Sequence, residues 1–185
     1  MSMPNLSSNS KFAGVAEWLP TAVLVVASFA VHWFIGWAGS NMSSMAPFND
    51  VELYSSWAGR GLATNQWPGT NEPGVYPLLA LVPMAFAYLI SSDATFGWLT
   101  FVALLNTVAV AVISRRVNGR HAAAYWLTFI ALLGPVAIGR IDAVAAALDA
   151  FVVLAMLAGR DRLTIGLATA GAWIKIWPIV HALAR

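Results

Sequence analysis

Cysteine is absent from the 185 residues, which excludes disulfides, thiolate metal sites and a cysteine nucleophile. Histidine is nearly absent too. His32, His121 and His181 stand at no metal-ligand spacing, so no metal site is expected. Charge is equally thin: Asp, Glu, Lys and Arg make up 10% of the chain against 59% hydrophobic residues, with a mean hydropathy of +0.72. That leaves too few polar groups to coat a water-soluble globule. The net charge is only +2 and the basic residues collect in short connections, which gives nucleic acid no surface to bind. Lipid is the expected solvent, and membrane lipids are the first expected partners.

What the chain does have is long apolar runs, at 18–38, 76–91, 95–114, 122–139, 143–158 and 163–183. A spanning helix takes about 20 predominantly apolar residues. The first run is long and rich in tryptophan, follows a single base, Lys11, and shows no small-residue cleavage site, so it reads as an uncleaved span rather than a signal peptide. The second is short and carries Pro77 and Pro83, which suits a helix that dips into the outer leaflet. Charge supports the dip. If 76–91 does not cross, Lys11, Arg115, Arg116, Arg120, Arg160 and Arg162 face the cytoplasm and only Arg60 and Arg140 face outward, whereas a full crossing inverts the positive-inside bias.

The expected fold is therefore all-α: a polytopic membrane helical bundle with about five spanning helices plus a dipping, juxtamembrane helix. The N-terminus is expected in the cytoplasm, with residues 1–16 disordered, a membrane domain over 17–185, and an external loop over 39–94. The localisation that follows is the plasma membrane, multi-pass. Pro178 interrupts the last run, and no polar tail follows it, a pattern expected of a chain truncated at its C-terminus.

Chemistry-bearing residues fall in the external parts. In Phe48-Asn49-Asp50-Val51-Glu52-Leu53-Tyr54, helical spacing from Asp50 lines up Tyr54, Trp57 and Gly61. Two readings of Asp50 stand. Asn49 and Glu52 have capping-box spacing, with Asp50 a first-turn acid at the positive end of the helix dipole; or Asp50 is a carboxylate that takes a proton from an attacking hydroxyl. Arg140 and Asp142 flank a tight turn. Either they pair with each other, or Arg140 faces a phosphate leaving group. Lys175 lies between Trp173 and Trp177, where it either snorkels in an aromatic belt or anchors a lipid phosphate. Asp149, two turns beyond Asp142 in an apolar run, is expected in a wet cavity or a packing network, and His32 is expected to be a packing histidine. His121, beside Arg120, reads as an interfacial loop residue.

The stretch from Asn49 to Trp57, with Gln66-Trp67-Pro68 and Tyr76-Pro77-Leu78-Leu79-Ala80, resembles the first external loop of bacterial GT-C membrane glycosyltransferases. Gly139-Arg140-Ile141-Asp142 and Gly171-Ala172-Trp173-Ile174-Lys175-Ile176-Trp177-Pro178 are similar to glycosyltransferase family 87, the polyprenyl-phosphate-mannose-dependent mannosyltransferases. The resemblance implies that Asp50 is the catalytic base. It also implies a polyprenyl-phosphate sugar as donor substrate, a glycolipid or glycan acceptor, transfer on the external face, and inversion at the anomeric carbon. On this reading Arg140 and Lys175 are phosphate contacts, Asp142 is a further substrate-binding residue, and Tyr54 and Trp57 line the acceptor side. No cofactor or metal is implied. Family members are about twice as long, which leaves this chain read as their N-terminal part. Two rivals remain. One is a transporter or flippase that uses His32, Asp149 and Lys175 as coupling groups; the other is an inactive remnant or partner-dependent subunit.

Overall fold

The computed structural model describes residues 10–42, 46–116, 118–176 and 178, with side chains from Pro20 onward. Among these residues the fold is all helical. Helix α1 spans Ser10–Ser40, α2 Asn49–Thr64, α3 Leu81–Ile90, α4 Ala94–Ser114, α5 Gly119–Leu133, α6 Pro135–Gly139, α7 Asp142–Leu157 and α8 Asp161–Ala172. The helix starts ahead of residue 17, so residues 10–16 are helical where disorder is expected; residues 1–9, and His181, lie outside the described part.

Two helical segments are long and apolar enough to cross a membrane by themselves, Pro20–Ser40 and Ala94–Ser114. They pack against each other as an antiparallel pair, joined by polar side chains at one end and again two turns further in. The Ser28 and Thr107 hydroxyls lie 2.8 Å apart, and Ser114 Oγ donates to Thr21 Oγ1 at 3.3 Å. In apolar surroundings such hydroxyl pairs hold helices in register, because each would otherwise go unsatisfied. His32 is buried in the same seam. Its Nδ1 bonds the Ser28 carbonyl at 2.8 Å, which makes Nδ1 the protonated nitrogen and leaves Nε2 without a partner. The outward face of α1 presents Val26, Trp33, Phe34 and Trp37, the apolar surface a lipid-facing helix needs.

The other apolar runs form shorter helices, for local reasons. Gly134, at φ +65°, and Pro135 split the expected run at 122–139 into α5 and α6; positive φ suits glycine, and proline then starts the next helix without losing a needed N–H. The run from 163 yields α8, which ends at Ala172. The 76–91 run gives a 3-10 turn at Leu78–Ala80 and then the ten residues of α3, roughly 15 Å of helix against the ~30 Å a hydrocarbon core requires. Helix α3 packs between α2 and α4 with Met84 and Ala87 inward and Phe86 and Leu89 outward. Helices α7 and α8 form a hairpin, and α7 also packs on α4.

Candidate functional site

The site begins with a phenylalanine wedge. Phe48 is buried between the end of α1 and α6. A Cβ on Gly39 would come within 2.6 Å of its ring, and one on Gly139 within 2.8 Å. Only glycine lets the ring in from both sides, and the wedge fixes where α2 starts. Phe48 occupies the N-cap with no side-chain cap, so the capping box expected from Asn49 and Glu52 does not form. Asn49 is already the first helical residue, past the position from which a side chain caps. Asp50 and Glu52 do stand in the first turn, as the spacing predicts. From there Val51, Tyr54, Ala58 and Gly61 form the buried stripe of α2, leaving Asp50 half-buried at its edge.

The same wedge presses on the segment between α6 and α7, whose backbone is held from three directions. Trp98 Nε1 donates to the Ile138 carbonyl at 2.8 Å, the Ile141 N–H donates to the Tyr54 hydroxyl at 3.2 Å, and Gly139 abuts Phe48. Tyr54 is 1% exposed and lies beneath the site, its ring 4.8 Å from Trp98 and 5.9 Å from Tyr76. Its hydroxyl also lies 3.3 Å from that of Tyr76, so it can accept from Ile141 while donating to Tyr76. Burial pushes the Tyr54 phenol far above the ordinary tyrosine range, the Tyr76 hydrogen bond pushes it further, and the bond from Ile141 only partly opposes them. Tyr54 therefore stays neutral and works as a structural hydrogen-bonding group. Tyr54→Phe should leave the buried Ile141 N–H unpaired and cost about 1–3 kcal/mol, read as a lower thermal midpoint. An unchanged midpoint would remove this bond from the account.

Clamped in this way, the turn sends Arg140 and Asp142 to different partners. Of the two readings of this pair, that they pair with each other is corrected. Arg140 is extended, at φ −117° and ψ 155°, while Asp142 opens α7, so their side chains diverge. Arg140 Nη1 lies 3.7 Å from Asp50 Oδ2, and Lys175 Nζ lies 3.2 Å from Asp142 Oδ2. Lys175 also sits 5.5 Å from the centroid of the Tyr76 ring, close enough for a cation–π contact. Trp57 stands edge-on to the same ring at 6.2 Å. Lys175 is thus turned inward to an acid and an aromatic face instead of snorkelling. Two acids and two bases, at positions 50, 140, 142 and 175, form one neutral, partly exposed cluster, with each ion pair joining residues far apart in sequence.

Arg140 and Asp142 also form one end of a cavity of about 370 Å³. Its other walls are apolar, built from Phe129, Ile130, Leu133, Val136 and Ala143, with Trp126 bonded to Asn106 deeper in. A charged mouth over an apolar trough suits a ligand with an anionic head and a hydrocarbon tail.

All six residues singled out in the sequence, Asp50, Tyr54, Trp57, Arg140, Asp142 and Lys175, meet in this region. Asp149 lies half-buried two turns along α7, and His32 lies within α1; neither joins the cluster. Glu72 bonds Arg60, 3.1 Å away on the surface. Tyr76 and Trp98 were not among the expected site residues. Tyr76 stands in a quoted motif and was discoverable there, whereas nothing local distinguishes Trp98 from the chain's other tryptophans. Among the described residues no group of acids and histidines could hold a metal ion. Family models, curated proteins and solved structures were all compared with the chain and none matches, so function is argued from this cluster and its cavity.

Proposed function

We propose that the protein is a membrane glycosyltransferase of the GT-C type, moving a sugar from a polyprenyl-phosphate donor to a glycolipid or cell-envelope glycan on the external face. The observation that carries this reading is that Arg140 and Asp142, one from each of the ion pairs Asp50–Arg140 and Asp142–Lys175, line the same apolar cavity. Such a donor has a hydrocarbon tail for the trough, a phosphate for the guanidinium and ammonium, and a sugar for the open side where Asp50 stands. Mannose as the sugar follows from the resemblance to family 87.

In the reaction, the acceptor hydroxyl oxygen bonds to the anomeric carbon as Asp50 takes its proton. The bond from that carbon to the phosphate oxygen breaks, and the electron pair leaves with polyprenyl phosphate. Negative charge grows on the leaving oxygen, where Arg140 offers a planar fork of donors and Lys175 a second positive charge. Attack opposite the leaving group inverts the configuration. Asp142 orients Lys175, and Tyr54 holds the turn bearing both Arg140 and Asp142.

The membrane arrangement in this reading has α1, α4, α5 with α6, α7 and the apolar run at 163–183 that α8 begins as five crossings, and α3 as the dipping helix. It places Lys11 and the arginines of the two connections at 115–120 and 160–162 on the cytoplasmic side. The site then opens outward, where an acceptor is reached. A transporter would need coupling groups gathered along one path, and the His32 ring bonds only the Ser28 carbonyl of its own helix.

The test uses the protein captured from native membranes with an antibody to the 39–94 region and restored to vesicles. A short-chain polyprenyl-phosphate mannose is added from one side at a time. Mannose should pass to an endogenous glycolipid acceptor from the outward side only. Absence of transfer from either side, with the donor intact, would overturn the reading.

A further inference from the structure

The end of the bundle farthest from Asp50 is built for a different ligand. The 21 residues of α4 set Ser114 about 30 Å from the helix start beside the candidate site. There the connection from α4 to α5 wraps a cavity of about 520 Å³. Arg115, Arg116, Arg120 and His121 stand around it, with the hydroxyls of Thr21 and Ser114 also lining it. The N-terminus of the 15-residue α5 is part of the same wall and adds the positive end of its dipole.

On the other side of Arg116 lies a second cavity, about 240 Å³, of opposite character. Its walls are Val112, Phe151, Leu154, Leu163 and Leu167, from α4, α7 and α8, with Arg116 and Arg160 at the edge. Arg116 therefore belongs to both cavities. Among the described side chains five arginines, 115, 116, 120, 160 and 162, stand in the two connections at this end against Asp161, leaving the excess positive.

We propose that this end is a binding site for one anionic phospholipid, its phosphate in the polar cavity and an acyl chain in the apolar one. A free phosphate would have use for the first cavity only. A neutral lipid would have use for the second. Only a molecule carrying both an anionic group and a hydrocarbon chain uses both, and the shared arginine stands where the two parts of such a molecule meet. Lying at the opposite end of the 21-residue α4 from the candidate site, the site is separate from the transferase reading and can fail without touching it.

The test measures lipid binding to the full chain in a neutral detergent, by native mass spectrometry with thermal midpoints alongside. Three probes are used: dioleoyl phosphatidylglycerol, dioleoyl phosphatidylcholine and inorganic phosphate. Phosphatidylglycerol should be retained at one per chain, at least about tenfold more tightly than phosphatidylcholine, and the double variant R116Q/R160Q should lose about tenfold of that preference. The charge-retaining R116K/R160K should keep most of it and controls for folding. Ala158→Phe, which fills the apolar cavity, should weaken the lipid while leaving inorganic phosphate unaffected. Equal retention of the two lipids, a midpoint shift from inorganic phosphate matching that from phosphatidylglycerol, or no response to either R116Q/R160Q or Ala158→Phe would each overturn the proposal.

Discussion

Asp50→Asn should reduce sugar transfer by roughly 10²–10⁴-fold, the usual contribution of a positioned general base, while leaving the protein folded. Asparagine keeps the size and hydrogen-bonding shape of the side chain and loses only the ability to take a proton. The fold has little stake in the charge: Asp50 is about one-third exposed, its contact with Arg140 is long at 3.7 Å, and an ion pair at such a surface contributes little. What anchors α2 is the buried stripe of Val51, Tyr54, Ala58 and Gly61. An unchanged thermal midpoint with near-complete loss of turnover is the expected combination. Near-normal turnover would remove Asp50 from the mechanism, and a collapsed midpoint would make the residue structural.

Arg140→Gln should lower turnover by about 10²–10³-fold, the range seen when one group stabilising a developing oxyanion is removed. The loss should fall on kcat more than on KM, because the charge that Arg140 answers grows only as the phosphate departs. Arg140→Lys should fall between the two, keeping the positive charge without the planar fork. A rise in KM alone, with kcat intact, would make Arg140 a uniform binding contact and leave the leaving group without its partner. The variant should fold, since the Ile138 carbonyl and Ile141 N–H that fix this turn are held by Trp98 and Tyr54, not by the guanidinium.

Local signals in the sequence located the helices and most of the cluster. The apolar runs gave the all-helical fold, and the two prolines with the short length of 76–91 marked a helix too brief to cross. The breaks were harder to read. Gly134 acts through a positive φ that only the folded backbone displays, and α8 ends at Ala172 although the apolar run continues. Within the site, residue types were legible and their pairings were not. Arg140 and Asp142 are near neighbours in sequence, so mutual pairing was one of two open readings, yet backbone direction sends one to Asp50 and the other to Lys175. Tyr54 was legible as a site residue but not as a buried clamp, because that role depends on Ile141, 87 positions away. Trp98 left no trace for the same reason: its partner is a backbone carbonyl that any residue could present.

The contact between Arg140 and Asp50 has a consequence for the order of events in a transferase built this way. While the guanidinium stands against the carboxylate, it covers one side of the base and narrows the approach of a hydroxyl. An arriving phosphate competes for the same guanidinium and, by drawing it away, uncovers the carboxylate. The donor thereby opens the base to the hydroxyl that will attack it. Such an interlock imposes a sequence, donor first and acceptor second, and it keeps the base quiet whenever no sugar is loaded.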